Sequence, residues 1–164
     1  RLGLDVEELL RLGLQLGADV PVFIGQRPAF AEGVGEHLSE LPFTPRAYAV
    51  IYPSVALATG PMFADPGLRR DCVPIRRDDY LAGVPTRNVF EPVALTRSPE
   101  IAAAASWLLA HLGNARLTGS GSAVFALAPD FEAAQAALEG VPAHWTCRAA
   151  RSITNWFDND QDGA

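Results

Sequence analysis

Residues 115–128 have the sequence ARLTGSGSAVFALA. Two short runs within it, Ala115–Thr118 and Ala123–Ala128, are typical of β-strands bounded by turn residues. Between them lies Gly119-Ser120-Gly121-Ser122, whose glycines supply the positive φ that a tight connection needs. The stretch therefore predicts two neighbouring strands joined by a glycine turn. The fold class then follows from the elements on either side.

A helix is predicted immediately before this stretch. Ser98 is a favourable N-cap residue, Pro99 suits the first helical turn, and Gly113 stops the helix. The apolar residues in between recur with the helical period of 3.6, and they are Ile101, Ala105, Leu108, Leu109 and Leu112. That period predicts an amphipathic helix.

The surrounding chain extends the pattern. Ala47–Tyr52 predicts a strand, and residues 65–87 predict a loop with at most a short helix at Arg77–Leu81. Residues 130–139 predict a helix that begins with a capping aspartate, and Trp145–Ala150 predicts a last strand. The resulting order is β, helical segments, β, β, α, β. It favours an antiparallel or mixed sheet with helices on one face.

Two short helical segments are predicted near the start of the chain. Asp5 and Glu8 have the spacing of a capping box before a helix over residues 6–16. Asp19-Val20-Pro21 offers a second N-cap, with Pro in the first turn of an apolar segment that runs through Ile24. We expect the two segments to meet at the aspartate.

A hairpin follows these segments. Residues 29–31 and 36–41 predict strands around Gly33-Val34-Gly35, where glycine allows the tight turn. Prolines then interrupt the chain before the next strand. We therefore expect a domain boundary near residue 43.

Composition excludes several classes of function. The 164 residues include 13 basic and 19 acidic side chains, for a net charge of −6 and a pI near 5.0, which argues against a nucleic-acid surface. All the basic residues are Arg, so no lysine in this chain can act as Schiff base, phosphate clamp or general base. No apolar run is long enough to span a membrane and no signal segment is visible, so we expect a cytoplasmic protein. The chain begins with Arg1, and we expect it to be a portion of a longer protein.

Few residues carry a recognisable chemical pattern. Cys72 and Cys147 lie too far apart for a zinc or disulfide motif, and no histidine has ligand spacing. Two candidates remain. The glycine turn at 119–122 offers backbone N–H groups and hydroxyls to an anion, with a plain hairpin turn as the alternative. Asp19 is a carboxylate among apolar residues that could accept a hydroxyl proton, with N-cap duty as the alternative.

Several blocks together resemble one enzyme family. They are LGADVPVF at 16–23, AFAEGVGE at 29–36, NVFEP at 88–92 and RLTGSGSAVFA at 116–126. In order and spacing they are similar to the C-terminal part of the 4-diphosphocytidyl-2-C-methyl-D-erythritol kinases, which belong to the GHMP kinase superfamily and act in the methylerythritol phosphate route to isoprenoids. The resemblance extends from the first helix to about residue 150.

The resemblance implies a fold and a domain organisation. The expected class is α+β, with a ferredoxin-like GHMP kinase C-terminal domain at residues 43–157. Residues 1–42 would be the end of the N-terminal kinase domain, and residues 158–164 would be a frayed tail.

The resemblance also implies roles for particular residues. Asp19 matches the active-site aspartate that lies beside the attacking substrate hydroxyl and is proposed as its base. Thr59 and Phe63 fall where the family has residues near the diphosphocytidyl substrate, although Gly60 departs from the usual Pro. Gly119, Ser120 and Gly121 match a superfamily glycine turn that packs against the phosphate-binding loop. ATP and Mg²⁺ are the implied cofactors, and no metal ligand is assigned.

The implied activity is ATP-dependent phosphorylation of the 2-hydroxyl of 4-diphosphocytidyl-2-C-methyl-D-erythritol. The expected partner is that small-molecule substrate, and we expect the chain to bind neither nucleic acid nor a membrane. Family members carry a Gly/Ser-rich phosphate loop, an active-site Lys and cytosine-binding aromatic residues upstream of the LGADVPVF block. This chain has none of these, so we expect it to be inactive by itself, because phosphoryl transfer depends on positioning and charge neutralisation. The alternatives are another GHMP kinase, acting on homoserine, a mevalonate derivative or a sugar, or a non-catalytic stand-alone domain. The oligomeric state is left open.

Overall fold

The computed structural model describes residues 3–153. Within them the chain forms two compact units, an N-terminal unit up to Pro45 and a C-terminal unit at Arg46–Ser152. The residues predicted as a tail, 158–164, lie outside the described part. None of the helices that the structure describes is both long and apolar enough to cross a membrane.

The N-terminal unit consists of two helices and a hairpin. These are α1 (Val6–Leu16), α2 (Val20–Gly25), β1 (Ala29–Glu32) and β2 (His37–Glu40). The capping prediction for α1 is confirmed, because Asp5 Oδ1 accepts the backbone N–H of Glu8 at 2.8 Å. The hairpin prediction is also confirmed, since β1 and β2 pair antiparallel with Ala29 opposite Glu40.

A glycine allows the two helices to pack closely. A Cβ on Gly13 would lie only 2.5 Å from Ile24 Cδ1 and 3.0 Å from Val20 Cγ1. The missing side chain therefore lets α2 rest directly on the backbone of α1.

The C-terminal unit contains four strands and five helices within the described residues. The strands are β3 (Ala47–Tyr52), β4 (Arg116–Leu117), β5 (Val124–Ala128) and β6 (Thr146–Arg151); the helices are α3 (Thr59–Phe63), α4 (Arg77–Leu81), α5 (Glu91–Arg97), α6 (Pro99–Leu112) and α7 (Phe131–Ala136). The strands form one sheet in the order β4-β5-β3-β6, and every neighbouring pair is antiparallel. This is the arrangement of a ferredoxin-like sheet, as expected.

One face of this sheet forms the core. Alternate residues of β3 are buried, and in the β3–β5 register Ala49 lies opposite the equally buried Ala126. Helices α6 and α7 pack on β3 and β5. They supply Ile101, Leu108 and Ala134, all of which are fully buried. The helices thus cover the buried face, because residues that alternate along a strand share one side.

Helix α6 begins and ends at the predicted residues. Ser98 Oγ accepts the N–H of Ile101 at 3.3 Å, and Gly113 ends α6 with a φ of +71°. Helix α7 is shorter than predicted, ending at Ala136. Beyond it, hydrogen bonds such as Leu138 N–H to Gln135 O at 3.0 Å replace the α-helical pattern with tighter turns.

Candidate active site

The glycine turn joins β4 to β5 as predicted. Gly119 and Gly121 have φ values of +54° and +95°. The turn is closed by the N–H of Gly121, which donates to Thr118 O at 3.0 Å, and by the N–H of Thr118, which donates to Ala123 O at 3.0 Å. No hydrogen bond to protein is found within residues 3–153 for the N–H groups of Gly119 and Ser120.

The segment before α5 holds this turn through side chains. Asn88 Nδ2 donates to Leu117 O at 2.9 Å and to Gly119 O at 2.7 Å. Its Oδ1 accepts the N–H of Phe90 at 3.0 Å. One residue further along, Glu91 Oε2 accepts the N–H of Leu117 at 2.6 Å. The NVFEP block therefore packs against the glycine turn, a relationship that the sequence analysis did not predict.

Two of the predicted site residues are in contact. Thr59, the first residue of α3, has its Oγ1 3.4 Å from Ser120 Oγ. Thr59 is exposed and Ser120 is half-buried. The hydroxyls of α3 and of the glycine turn thus lie together, where a bound polar group can reach both.

Phe63 lies at the end of the same short helix. Its ring packs edge-on against Phe90, with 4.9 Å between the ring centroids, and it is 58% exposed. Its carbonyl oxygen accepts Arg70 Nη2 at 2.5 Å. Phe63 is therefore a largely exposed aromatic ring packed against a second ring, which suits a role in ligand stacking.

The Asp65 side chain fixes the position of the segment that follows α3. Its Oδ1 accepts the N–H of Gly67 at 2.8 Å, and its Oδ2 accepts Arg97 Nε at 2.6 Å. The Gly67 N–H and then the Arg97 guanidinium hold the pKa of the Asp65 carboxyl below its usual value, because both favour the charged form. The link ties the end of α3 to the end of α5.

Asp19 belongs to the N-terminal unit. It occupies the N-cap position of α2, but its side chain makes no capping hydrogen bond. Its side chain is exposed. The Asp19 carboxylate therefore does not cap α2, which was the alternative to a role as base. It is free to interact with a ligand.

The two N-terminal blocks of the resemblance meet next to Asp19. Gly35, in the β1–β2 turn, has a φ of +113°, and a Cβ there would lie 2.2 Å from Ala18 O. The turn thus packs directly on the backbone that precedes Asp19. The turn is itself braced by Glu36, whose Oε2 accepts the N–H of Val34 at 2.6 Å. The N–H of Glu36 itself and then that of Val34 lower the pKa of this carboxyl.

No metal site is formed by the residues that the structure describes. In residues 3–153 no group of three or more His, Cys, Asp or Glu side chains could hold an ion. His111 Nδ1 lies 2.8 Å from Trp107 O, and His144 Nε2 lies 3.3 Å from Glu100 Oε2. These contacts give both rings structural partners.

Comparison with known proteins gives consistent results. The family model described as GHMP kinases C terminal matches residues 68–147. A protein of Bordetella pertussis named 4-diphosphocytidyl-2-C-methyl-D-erythritol kinase is 43% identical over 157 residues, which are 93% of this chain and 52% of that relative. A protein of the same name from Halorhodospira halophila is 45% identical over 154 residues, which are 92% of this chain and 53% of the relative.

The fold of this chain is also similar to that of a solved structure. The crystal structure of a 4-(cytidine 5'-diphospho)-2C-methyl-D-erythritol kinase has a TM-score of 0.73 and 30% identity, over 91% of this chain and 57% of that chain. The chain thus spans about half the length of the curated relatives it matches. The family model and the shared fold confirm the expected fold class, and residues 68–147 of this chain match the GHMP kinase C-terminal family.

Proposed function

We propose that this chain is the C-terminal part of a kinase that transfers the γ-phosphoryl group of ATP to the 2-hydroxyl of 4-diphosphocytidyl-2-C-methyl-D-erythritol. The observation that carries the proposal is the identity of 43–45% to kinases of that name over more than nine-tenths of this chain. Residues 1–42 would complete an N-terminal kinase domain and residues 43–157 would form the C-terminal domain. A cytoplasmic location is part of the proposal.

Asp19 is the proposed base. In the transfer, the substrate oxygen forms a bond to the γ-phosphorus, the bond between that phosphorus and the β–γ bridging oxygen breaks, and the hydroxyl proton passes to a carboxylate. The exposed Asp19 side chain makes no capping hydrogen bond, which leaves it able to accept this proton. The close approach of Gly35 to Ala18 holds the backbone beside it.

Thr59 and Phe63 are proposed to bind the diphosphocytidyl substrate. The Thr59 hydroxyl supplies a donor and an acceptor, and the exposed face of Phe63 supplies an apolar contact for a ring or a sugar. Both lie on α3, so one short helix would present a polar and an aromatic contact together.

The turn formed by Gly119, Ser120 and Gly121 is proposed to support the ATP phosphates. Its N–H groups at positions 119 and 120 have no protein acceptor in the described part of the chain, and such groups favour an anion. ATP, when bound, supplies the phosphoryl group. The described residues do not offer a ligand set for Mg²⁺, so no step is assigned to the ion.

A kinase assay tests the proposal. The open reading frame that encodes this chain, taken from its genomic start codon, is expressed and incubated with ATP and 4-diphosphocytidyl-2-C-methyl-D-erythritol. We expect formation of ADP and of the 2-phosphate, identified by mass and phosphorus NMR. Homoserine, mevalonate derivatives and sugars are run in parallel. Turnover of one of these with none of the cytidyl substrate would contradict the proposal.

A further inference from the structure

The Asn88 side chain makes three hydrogen bonds to the backbone, two of them to residues that are distant in the sequence. Its amide nitrogen donates to the carbonyls of Leu117 and Gly119, which lie 29 and 31 positions away. Its amide oxygen accepts the N–H of Phe90. Three of the four hydrogen bonds that an Asn side chain can make are accounted for by protein backbone.

The two carbonyls lie on either side of the point where β4 becomes the glycine turn. When both point at Asn88, the peptide groups of the turn are fixed in orientation. The N–H groups of Gly119 and Ser120 make no bond to protein acceptors in the described chain and stay available to a ligand. Amide N–H groups held in this way favour an anion.

Through Phe90, the hydrogen bonds of Asn88 also connect to helix α3, which is proposed to bind the substrate. Phe90, whose N–H is bound by Asn88, packs on Phe63. Glu91 adds a bond from the start of α5 to the N–H of Leu117. The side chains of Asn88 and Glu91 thus satisfy both the N–H and the C=O of Leu117, and they join the start of α5 to the strand that leads into the turn.

We propose that Asn88 is a positioning residue that holds the 119–121 turn in the conformation that receives the ATP phosphates. The inference rests on the proposed kinase function. Asn88 does not contact the reacting atoms; it acts through the two carbonyls that it binds. Loss of its amide donor should therefore impair ATP use more than the general stability of the fold.

A matched residue at the other end of the same strand pair provides the control. Asn114 Nδ2 donates to Leu112 O at 3.0 Å and Leu127 O at 2.9 Å, and its Oδ1 accepts the N–H of Leu127 at 2.8 Å. Asn114 thus makes the same set of three bonds as Asn88, but at the open end of the β4–β5 pair, away from the turn. Asn88→Asp and Asn114→Asp each replace two donated bonds by a repulsion between oxygens.

The test is steady-state kinetics of the two variants in the complete open reading frame. Asn88→Asp should lower kcat/KM for ATP by about tenfold to a hundredfold, since small displacements of positioning groups have effects of this size. Asn114→Asp should stay within about twofold of wild type, with the melting temperature of each variant measured alongside. Wild-type kcat/KM in folded Asn88→Asp would overturn the inference. So would equal losses in both variants.

A second measurement does not depend on the substrate. The N–H of Gly121 closes the turn on Thr118 O, so its hydrogen exchange reports whether the turn is held. We expect at least about tenfold faster exchange at Gly121 in Asn88→Asp, and no change in Asn114→Asp. Unchanged exchange would overturn the inference. An inactive wild-type protein would instead contradict the proposed function, while exchange at Gly121 would still decide the role of Asn88.

Discussion

Asp65 and Arg97 form an ion pair in which two nitrogens of one side chain share one oxygen of the other. Arg97 Nε and Nη2 lie 2.6 and 2.5 Å from Asp65 Oδ2. The Asp65 side chain is only 16% exposed. Because Asp65 follows α3 and Arg97 is the last residue of α5, the pair links the helix of Thr59 to the helix that begins beside the glycine turn.

The hydrogen bond from the Gly67 N–H and the pair with Arg97 together make stability depend on pH. The folded-state pKa of Asp65 lies below its ordinary value of 3.8, so the unfolded chain binds more protons between the two values. The stabilisation is therefore complete above 3.8 and is lost as pH falls through the folded pKa. Asp65→Asn should lower the free energy of unfolding at neutral pH and flatten its decline in acid.

The measurement is urea denaturation at several values of pH between about 2 and 7. The curves for wild type and Asp65→Asn should converge at the acid end. Asp78→Asn is the control, because the Asp78 side chain is 84% exposed and its surface contact with Arg77, at 3.9 Å, is of the kind that contributes little to stability. Curves for Asp65→Asn and wild type that stay parallel down to the acid limit would contradict the interpretation.

Substitution of two adjacent leucines in α6 distinguishes the contribution of core packing from that of helix propensity. Leu108 is completely buried, whereas Leu109 is 56% exposed. Leu108→Ala should lower the free energy of unfolding by about 2–5 kcal/mol, since it removes transfer energy and leaves a cavity. Leu109→Ala should cost less than about 1 kcal/mol, measured by the same denaturation experiment. Similar losses in both variants would show that α6 does not pack as described.

The sequence predicted the elements whose signals are local. Helix α6 has a capping Ser at its start and a glycine with positive φ at its end, and both act in the structure as predicted. Helices α3 and α5 were not predicted individually, because their N-cap residues, Ala58 and Phe90, make no side-chain capping bond. Short helices without caps depend on tertiary packing, which local patterns do not contain.

The candidate site was only partly predictable for the same reason. The glycine turn could be identified from its residues, and its contact with Thr59 spans 61 positions of sequence. The bonds of Asn88 are equally long-range, so nothing in the NVFEP block by itself indicates them. The catalytic and binding roles of Asp19, Thr59, Phe63 and the turn stay predictions.

The two glycines of the turn should differ in their tolerance of a side chain. A Cβ on Gly121 would lie 3.2 Å from Leu57 Cδ1 and 3.3 Å from Leu117 Cδ1, at a φ of +95°. A Cβ on Gly119 meets nothing within 4 Å, although φ is +54°. Gly121→Ala should therefore destabilise by about 1–3 kcal/mol, and Gly119→Ala by about 1–2 kcal/mol from backbone strain alone. Thermal unfolding of both variants measures the difference in stability. If Gly121→Ala were more stable than Gly119→Ala, the tight packing around Gly121 would be contradicted.

Thr59 should contribute to substrate binding through its hydroxyl. Thr59→Val keeps the shape of the side chain but removes the contact with Ser120, and we expect KM for the cytidyl substrate to rise by about tenfold. Thr59→Ser should restore most of the loss. Thr96→Val is the matched control, because the Thr96 hydroxyl donates to Pro92 O, within its own helix. An unchanged KM in Thr59→Val would remove Thr59 from the proposed binding site.

Asp19→Asn tests the proposed base. The amide cannot accept the hydroxyl proton, so kcat should fall by about 10²–10⁴-fold. The melting temperature should change little, since Asp19 makes no capping bond. Asp5→Asn is the control, as it removes one negative charge from the same unit while Asn retains the capping function. Steady-state rates decide the question: wild-type kcat in Asp19→Asn would show that another group takes the proton.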